Sequence, residues 1–225
     1  MSNNQIRVVT IDGPSGSGKG TLSQMLARHL GYHLLDSGAL YRLVALASVK
    51  RHVDFVQEDL VVPIAQDLDV EFSVEGNSMR ILLDGEDVTN AIRQEVISMG
   101  ASQVAAHPGV RAALLERQRA FVREPGLIAD GRDMGTAIFP DSTTKIFLTA
   151  SAEARAERRF NQLKAKGEVV DMENLVADIR ERDERDSKRA VSPLVPAADA
   201  TIIDSTDMSI DEVFASMLAL INRNS

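Results

Sequence analysis

The stretch Gly13-Pro14-Ser15-Gly16-Ser17-Gly18-Lys19-Gly20-Thr21 limits what this chain can fold into more than any other part of it. It follows Val8-Val9-Thr10-Ile11, an apolar, β-branched run that reads as a buried strand. It precedes Leu22–Leu30, where Leu22, Met25, Leu26 and His29 or Leu30 recur at helical spacing. A strand, a glycine-rich turn ending in Gly-Lys and a helix together make a phosphate-binding loop. The glycines let the backbone curl so that successive N–H groups point inward, and the helix N-terminus adds partial positive charge. Lys19 supplies a full charge able to reach the β- and γ-phosphates of a nucleotide. The dinucleotide pattern G-x-G-x-x-G is not met, because Gly16, Gly18 and Gly20 are spaced by two and a lysine follows the second. One position departs from the usual phosphate loop. A hydroxyl directly after the lysine would touch Mg²⁺, but here Gly20 intervenes and the hydroxyl is Thr21. One residue is a rotation of ~100° about a helix, so a metal contact by Thr21 does not follow.

Further along, strands and helices alternate. Tyr32–Leu35 reads as a second strand, and the helix after it opens on Asp36 or Ser37 and carries Leu40, Tyr41, Leu43, Val44, Leu46 and Ala47. Leu60–Leu68 reads as a helix with Pro63 in its first turn. Val70–Val74 and Met79–Leu83 flank the turn Glu75-Gly76-Asn77-Ser78, an antiparallel hairpin that interrupts the βα pattern. Helices are predicted in about 89–106 and 109–123, split at His107-Pro108-Gly109. Leu127–Asp130, Lys145–Thr149 and Ala200–Asp204 complete five core strands; helices from Ser151 to about Lys166 and over Ile210–Ile221 accompany them. The pattern predicts an α/β fold: a five-stranded parallel sheet covered by helices on both faces, three layers in all. We expect one domain over 1–225, with a core of about 1–61, 101–150 and 190–225, an inserted lobe of about 62–100 and a short helical lid of about 151–189.

In such sheets ligands bind at the C-terminal ends of the strands. Two polar groups fall there after the second strand, Ser37 and Arg42, which a helix cap and a surface arginine would also explain. Arg132 and Asp133 fall there after Asp130, between two glycines; a structural pair trimming the loop is the alternative. Arg155, Arg158 and Arg159 share one helix face, with Glu153 and Glu157 close enough to make it a solvated, salt-bridged face instead. Within the charged run 178–189, Arg182, Asp186 and Arg189 form a single stripe with two guanidiniums around a carboxylate.

Composition excludes several functions. The net charge of −8 disfavours a nucleic-acid surface, so an anion bound here must meet a local basic cluster. There are no cysteines, hence no disulfide or thiolate chemistry, and the four histidines (His29, His33, His52, His107) lack ligand spacing. Neither a signal peptide nor an apolar run of the ~20 residues that span a bilayer is visible. A cytoplasmic protein is expected.

Several blocks in order make the likeness more specific than the phosphate loop alone: Gly13–Thr21, Leu35–Arg42, Ala101–Ala105, Ile128–Thr136, Arg182–Asp186 and Ala197–Ala200. In these the chain resembles the bacterial-type cytidylate kinases, a family of P-loop nucleoside monophosphate kinases, over nearly its whole length. The ending Gly-Lys-Gly-Thr is usual there, and the hairpin matches the longer monophosphate-binding lobe of bacterial members. The resemblance implies transfer of the γ-phosphate of ATP to CMP or dCMP, with Mg²⁺ on the ATP, by a monomer with neither nucleic acid nor membrane as partner. It implies that Gly13, Pro14, Ser15, Gly16, Ser17, Gly18, Lys19, Gly20 and Thr21 bind ATP, with Lys19 near the transferring group. Arg42, Arg132 and Arg189, helped by Ser37, would hold the acceptor phosphate; Ser102, Arg111 and Asp133 would face cytosine; Arg182 and Asp186 would meet the sugar. Arg155, Arg158 and Arg159 would close over the phosphoryl group, and no residue is assigned to the metal. The alternatives are a kinase of UMP or AMP on the same fold, and a nucleotide-sensing module without turnover.

Overall fold

The computed structural model describes residues 6–75, 78–165 and 167–223. They fall into two compact units, one formed by 1–36 with 119–225 and the other by 37–118.

The first unit holds the five-stranded parallel sheet. Its strands are β1 (Arg7–Asp12), β2 (His33–Asp36), β6 (Gly126–Gly131), β7 (Thr144–Thr149) and β8 (Thr201–Asp204), in the order β2-β6-β1-β7-β8. β1 lies in the middle, paired in parallel with β6 and β7, which is why its sequence is a continuous apolar run rather than an alternating one. The chain leaves β1 toward β2 on one side and later crosses to β7 and β8 on the other. The loop after β1 therefore sits where the strand order reverses, the place such sheets reserve for ligands. The helices of this unit are α1 (Lys19–Leu30), α6 (Ala152–Ala165), α7 (Met172–Ser187) and α8 (Ile210–Arg223). Ile11, Leu26, Ile128, Leu148 and Met217 are sealed in one core between sheet, α1 and α8. Each such side chain contributes roughly 1.5–3 kcal/mol by its burial. α6 ends at Ala165; Lys166, where the sequence pattern ends it, lies outside the described residues.

The second unit begins at Ser37, so it takes in helices on both sides of the 62–100 stretch. Here α2 (Ser37–Lys50) is buried on nearly every side and packs on α3 (Glu58–Gln66) and α4 (Glu95–Val104). β3 (Val70–Glu75), β4 (Ser78–Leu83) and the two-residue β5 (Glu86–Asp87) form an antiparallel sheet. Gly76 and Asn77 of the expected turn lie outside the described residues. α3 starts at Glu58, ahead of the expected Leu60, so Pro63 lies inside the helix rather than in its first turn. Its inward residues Val61, Ile64 and Ala65 are buried, and that packing outweighs the lost backbone bond. The helix expected over about 89–106 is split into a 3₁₀ turn (Ala91–Arg93) and α4, with Gln94 extended between them. The reason is geometric. Ile92 and Ile97 are both buried, yet in one continuous helix they would point ~140° apart. Extended backbone at Gln94 resets the phase. α5 (Pro108–Arg119) opens on Pro108, whose missing N–H costs nothing in a first helical turn.

Candidate functional site

At the end of β1 the chain turns at Gly13 with φ of 149°, and an added Cβ would lie 2.0 Å from the carbonyl oxygen of Leu148. Any side chain there would push the loop off β7. Gly18 caps α1 in the left-handed region with φ of 94°, and no side chain caps the helix. The first turn of α1 thus keeps its N–H groups and their partial positive charge for an anion. Inside the loop, the Ser17 hydroxyl donates to the carbonyl of Pro14 at 3.0 Å and Lys19 Nζ donates to the same oxygen at 3.1 Å. Lys19 is 8% exposed, and burial lowers its pKa from 10.5 to about 8, opposed by the Asp130 carboxylate 4.0 Å away. Arg132 and Arg182 also press its charge down, while Asp36 supports it. A phosphate group would reverse that balance, because its negative charge favours the protonated amine.

Two arginines of α6 brace this loop from outside. Arg155 is 4% exposed, donates from Nη1 to the Ser15 carbonyl at 3.0 Å, and forms a two-pronged pair with Asp183 of α7. Arg158 donates to the carbonyls of Ser17 and Ser205. Arg159 lies on the same helix, half-buried. The face shared by Arg155 and Arg158 is therefore turned to the phosphate loop. The salt-bridged alternative holds for another part of the helix, where Glu153 pairs with Arg180 of α7.

β6 ends beside β1 and carries Asp130; its backbone then enters a π-type turn, Met134–Ile138, in which the N–H of Ile138 bonds to the carbonyl of Asp133. Such turns widen a helix by one residue and re-aim the side chains at its start. Arg132 meets Asp186 of α7 through Nε, and Arg189 approaches the same carboxylate at 3.7 Å. Asp186 is 2% exposed, so this is a charged cluster shielded from water. Burial works against the Arg132 cation, but Asp186, Asp130 and Asp133 outweigh it and hold its pKa above the ordinary value. The carboxylate is thus flanked by Arg132 and Arg189; α7 stops at Ser187, and Arg189 reaches Asp186 from beyond the helix end.

In the second unit, the Ser37 hydroxyl donates to Gln118 Oε1 at 2.7 Å, and Gln118 Nε2 donates to the Leu114 carbonyl at 3.3 Å. The second bond fixes the amide orientation, so the one hydroxyl proton of Ser37 is directed at Gln118. Arg111 is buried, donates to the Ala105 carbonyl at 3.1 Å, and lies 5.5 Å from the centre of the Tyr41 ring. Ser102 is buried on α4, and Arg42 is half-buried in the second turn of α2. Within the second unit, Ser37 and Arg42 thus stand on α2, Ser102 on α4 and Arg111 on α5.

The cytidylate kinase family profile matches residues 9–223. The chain belongs to the cytidylate kinase family. It is 60% identical over 212 residues to the cytidylate kinase of Pectobacterium carotovorum subsp. carotovorum (strain PC1), covering 94% of both chains. To the cytidylate kinase of Photobacterium profundum it is 56% identical over 216 residues, covering 96% of this chain and 95% of that one. The cytidylate kinase of Pseudomonas aeruginosa (strain LESB58) is 58% identical over 218 residues, with the same two coverages. Among solved structures, a gluconokinase from Sinorhizobium meliloti 1021 aligns over 97% of this chain and 93% of its own, at a TM-score of 0.45 and 14% identity.

For a cytidylate kinase the structure adds residues that the local sequence pattern did not mark. Asp183 escapes notice because it sits in a charged run, 28 positions from the Arg155 it neutralises. Gln118 lies 81 positions from Ser37, and Asp12 reads as no more than the polar end of a strand. The departure at Gly20 also gains a physical sense: a Cβ there would stand 3.5 Å from Asp130 Oδ2. Where the hydroxyl after the lysine would be, a buried carboxylate faces the loop instead. Among the described residues no group of three or more acidic or histidine side chains could hold a metal by itself. A Mg²⁺ ion with its preference for phosphate oxygens and water fits this arrangement, with Asp130 as the adjacent carboxylate.

Proposed function

We propose that this member of the cytidylate kinase family transfers the γ-phosphate of ATP to CMP or dCMP, giving ADP and CDP or dCDP. The observation that carries the reading is the group around Lys19. A phosphate loop with a buried lysine stands beside a second, water-shielded cationic cluster, Arg132 and Arg189 about Asp186. One anion site would serve a sensor; two sets of cations suit a donor and an acceptor phosphate. Phosphoryl transfer needs little covalent chemistry, so positioning and cations on the developing charge account for catalysis. Residues Gly13–Thr21 hold the ATP phosphates and Lys19 neutralises the transferring group. Mg²⁺, when bound, would supply further neutralisation of the phosphates, and Asp130 is the carboxylate that would hold it or its water.

Arg132, Arg189 and Arg42, with Ser37, hold the acceptor phosphate, arginine being suited to two-pronged contacts with phosphate oxygens. Asp133 accepts from the exocyclic amine of cytosine, and Arg111 and Ser102 serve the other ring polar groups. Uracil would set a carbonyl oxygen against that carboxylate, a mismatch that can reject a substrate by ~10⁴-fold. Arg182 and Asp186 meet the sugar, and Arg155, Arg158 and Arg159 act at the transferring phosphoryl through the loop that the first two touch. The 62–100 stretch serves as the monophosphate lobe and 151–189 as the lid. We place it as a monomer acting on small molecules in the cytoplasm, apart from nucleic acid and membranes; of these, the net charge of −8 bears on nucleic acid, whose phosphates it would repel. The test is an ADP-release assay with Mg-ATP against CMP, dCMP, UMP and AMP. Turnover confined to CMP and dCMP is expected; turnover centred on UMP or AMP would overturn the roles of Asp133 and Arg111, and none with any acceptor would end the kinase reading.

A further inference from the structure

Asp12 is the last residue of β1 and is 4% exposed. Its Oδ1 accepts from the N–H of Met134 and its Oδ2 from the N–H of Gly135, both at 2.8 Å. Those donors open the π-type turn, immediately after Arg132 and Asp133. On the other side of these two residues, Gly131 is the last position of β6 in register with β1, and its partner is Asp12 itself. Arg132 and Asp133 therefore form a two-residue corner fastened to the same residue at both ends, through the strand pairing and through the side chain. The next residue after Asp12 is Gly13, where the phosphate loop begins.

A carboxylate is the side chain that offers one acceptor oxygen to each of two parallel N–H groups without a donor of its own. Keeping it out of water is unfavourable. Burial, with Asp133 adding to it, pushes its pKa up to about 7, while the two N–H bonds and Lys19 pull it down. Simple loop anchoring does not call for a buried charge. Rigid alignment of two backbone groups does.

We propose that Asp12 is a positioning residue for the acceptor: its carboxylate fixes the Arg132–Asp133 corner to the start of the phosphate loop, so that the acceptor is presented in register with ATP. This rests on the acceptor roles assigned above to Arg132 and Asp133. The internal bonds of the phosphate loop, from Ser17 and Lys19 to Pro14, do not involve Asp12. Loosening the corner should thus be felt by the acceptor and hardly by ATP.

The test is Asp12→Asn in the full chain, which sets an amide NH₂ against one of the two backbone donors. Losing one charge-assisted bond predicts a KM for CMP raised about tenfold and a KM for Mg-ATP changed less than twofold. The amides of Met134 and Gly135 should exchange with solvent at least about tenfold faster than in the wild type, at unchanged exchange for the core of β1. The CMP and ATP phosphates take up protons in the same window and lower kcat/KM in both proteins. The wild type should fall more steeply than the Asn variant as pH is lowered, the difference being the protonation of Asp12. The charged neighbours of Asp12, Lys19 and Asp133, are common to both proteins. Equal changes in both KM values, or a pH profile shared by both proteins, would overturn the positioning role. Unchanged exchange at Met134 and Gly135 would overturn the clamp itself. A wild type without CMP turnover, but with faster amide exchange in the variant, would keep the clamp and overturn the acceptor reading it serves.

Discussion

Replacing Lys19 with Met should stabilise the protein without its nucleotide while removing phosphoryl transfer. The ammonium lies almost out of water with a pKa of about 8, against 10.5 for a free lysine, and the Asp130 carboxylate that opposes this shift is 4.0 Å away. That gap of about 2.5 pH units means that near pH 7 the charge costs the folded state about 3 kcal/mol. Methionine has similar length and no charge, so the variant avoids that cost. It forfeits the bond from Nζ to the Pro14 carbonyl, a loss of about 1 kcal/mol. The net gain is about 2 kcal/mol, or roughly 4–8 °C in Tm for a chain of this size. The sign of the pH dependence follows from proton counts. Between about pH 8 and 10.5 the unfolded chain binds a proton that the native lysine has released, so the wild type gains stability as pH rises through that window. The advantage of the variant should be full near pH 7 and gone by about pH 10.5. Urea unfolding followed by circular dichroism at several pH values measures both, and the ADP-release assay should find kcat lower by about 10³-fold, since a preorganised cation on developing charge is lost. A variant less stable than the wild type at pH 7, or an advantage that does not move with pH, would refute the claim that Lys19 is held at the expense of stability.

Asp133→Ala should reduce kcat/KM for CMP by 10²-fold or more while leaving ATP affinity nearly unchanged, as read by isothermal titration with each nucleotide, because the carboxylate is assigned to the base and not to the phosphate loop. Gln118→Leu removes the acceptor of the Ser37 hydroxyl and should raise KM for CMP by about five- to tenfold with little effect on KM for ATP; an equal rise in both would deny Ser37 a place on the acceptor side. Asp183→Ala leaves the buried guanidinium of Arg155 without its two-pronged partner and should cost about 2 kcal/mol in urea unfolding, less than a fully buried pair because Asp183 is partly exposed. Combining it with Arg155→Met should recover part of that loss, and strict additivity of the two changes would contradict the coupling.

Much of the site lies within short segments of chain, and those parts were legible. The phosphate loop is nine consecutive residues whose glycines and lysine dictate their own geometry, and β1, β2, β6, β7 and β8 fall on the apolar runs that mark them. Arg132 with Asp133, and Asp186 with Arg189, were visible as pairs because each is close in sequence. The partition of charges between those pairs was not. The pattern along α7 placed Asp186 between Arg182 and Arg189, whereas folding brings Arg132 from 54 positions away to the carboxylate. In the same way Arg155, Arg158 and Arg159 were indistinguishable on a helical face until Asp183, Ser15 and Ser17 took their places around the first two.

Local spacing fixes which side chains share a helix face or a strand end, since it depends only on backbone periods of 3.6 and 2 residues. On that basis the phosphate loop, the parallel sheet and the side chains at its strand ends follow from the order of the residues alone. That order could not determine which opposite charges meet, because in a dense charged run many partners are possible and only packing removes the water that would otherwise separate them. Tertiary structure decided that Lys19 is buried, that Asp12 holds Met134 and Gly135, that Gln118 takes the proton of Ser37, and that Asp130 stands where Gly20 leaves room. These are long-range contacts between groups made strong by exclusion from water, a property that arises only when the chain is closed upon itself.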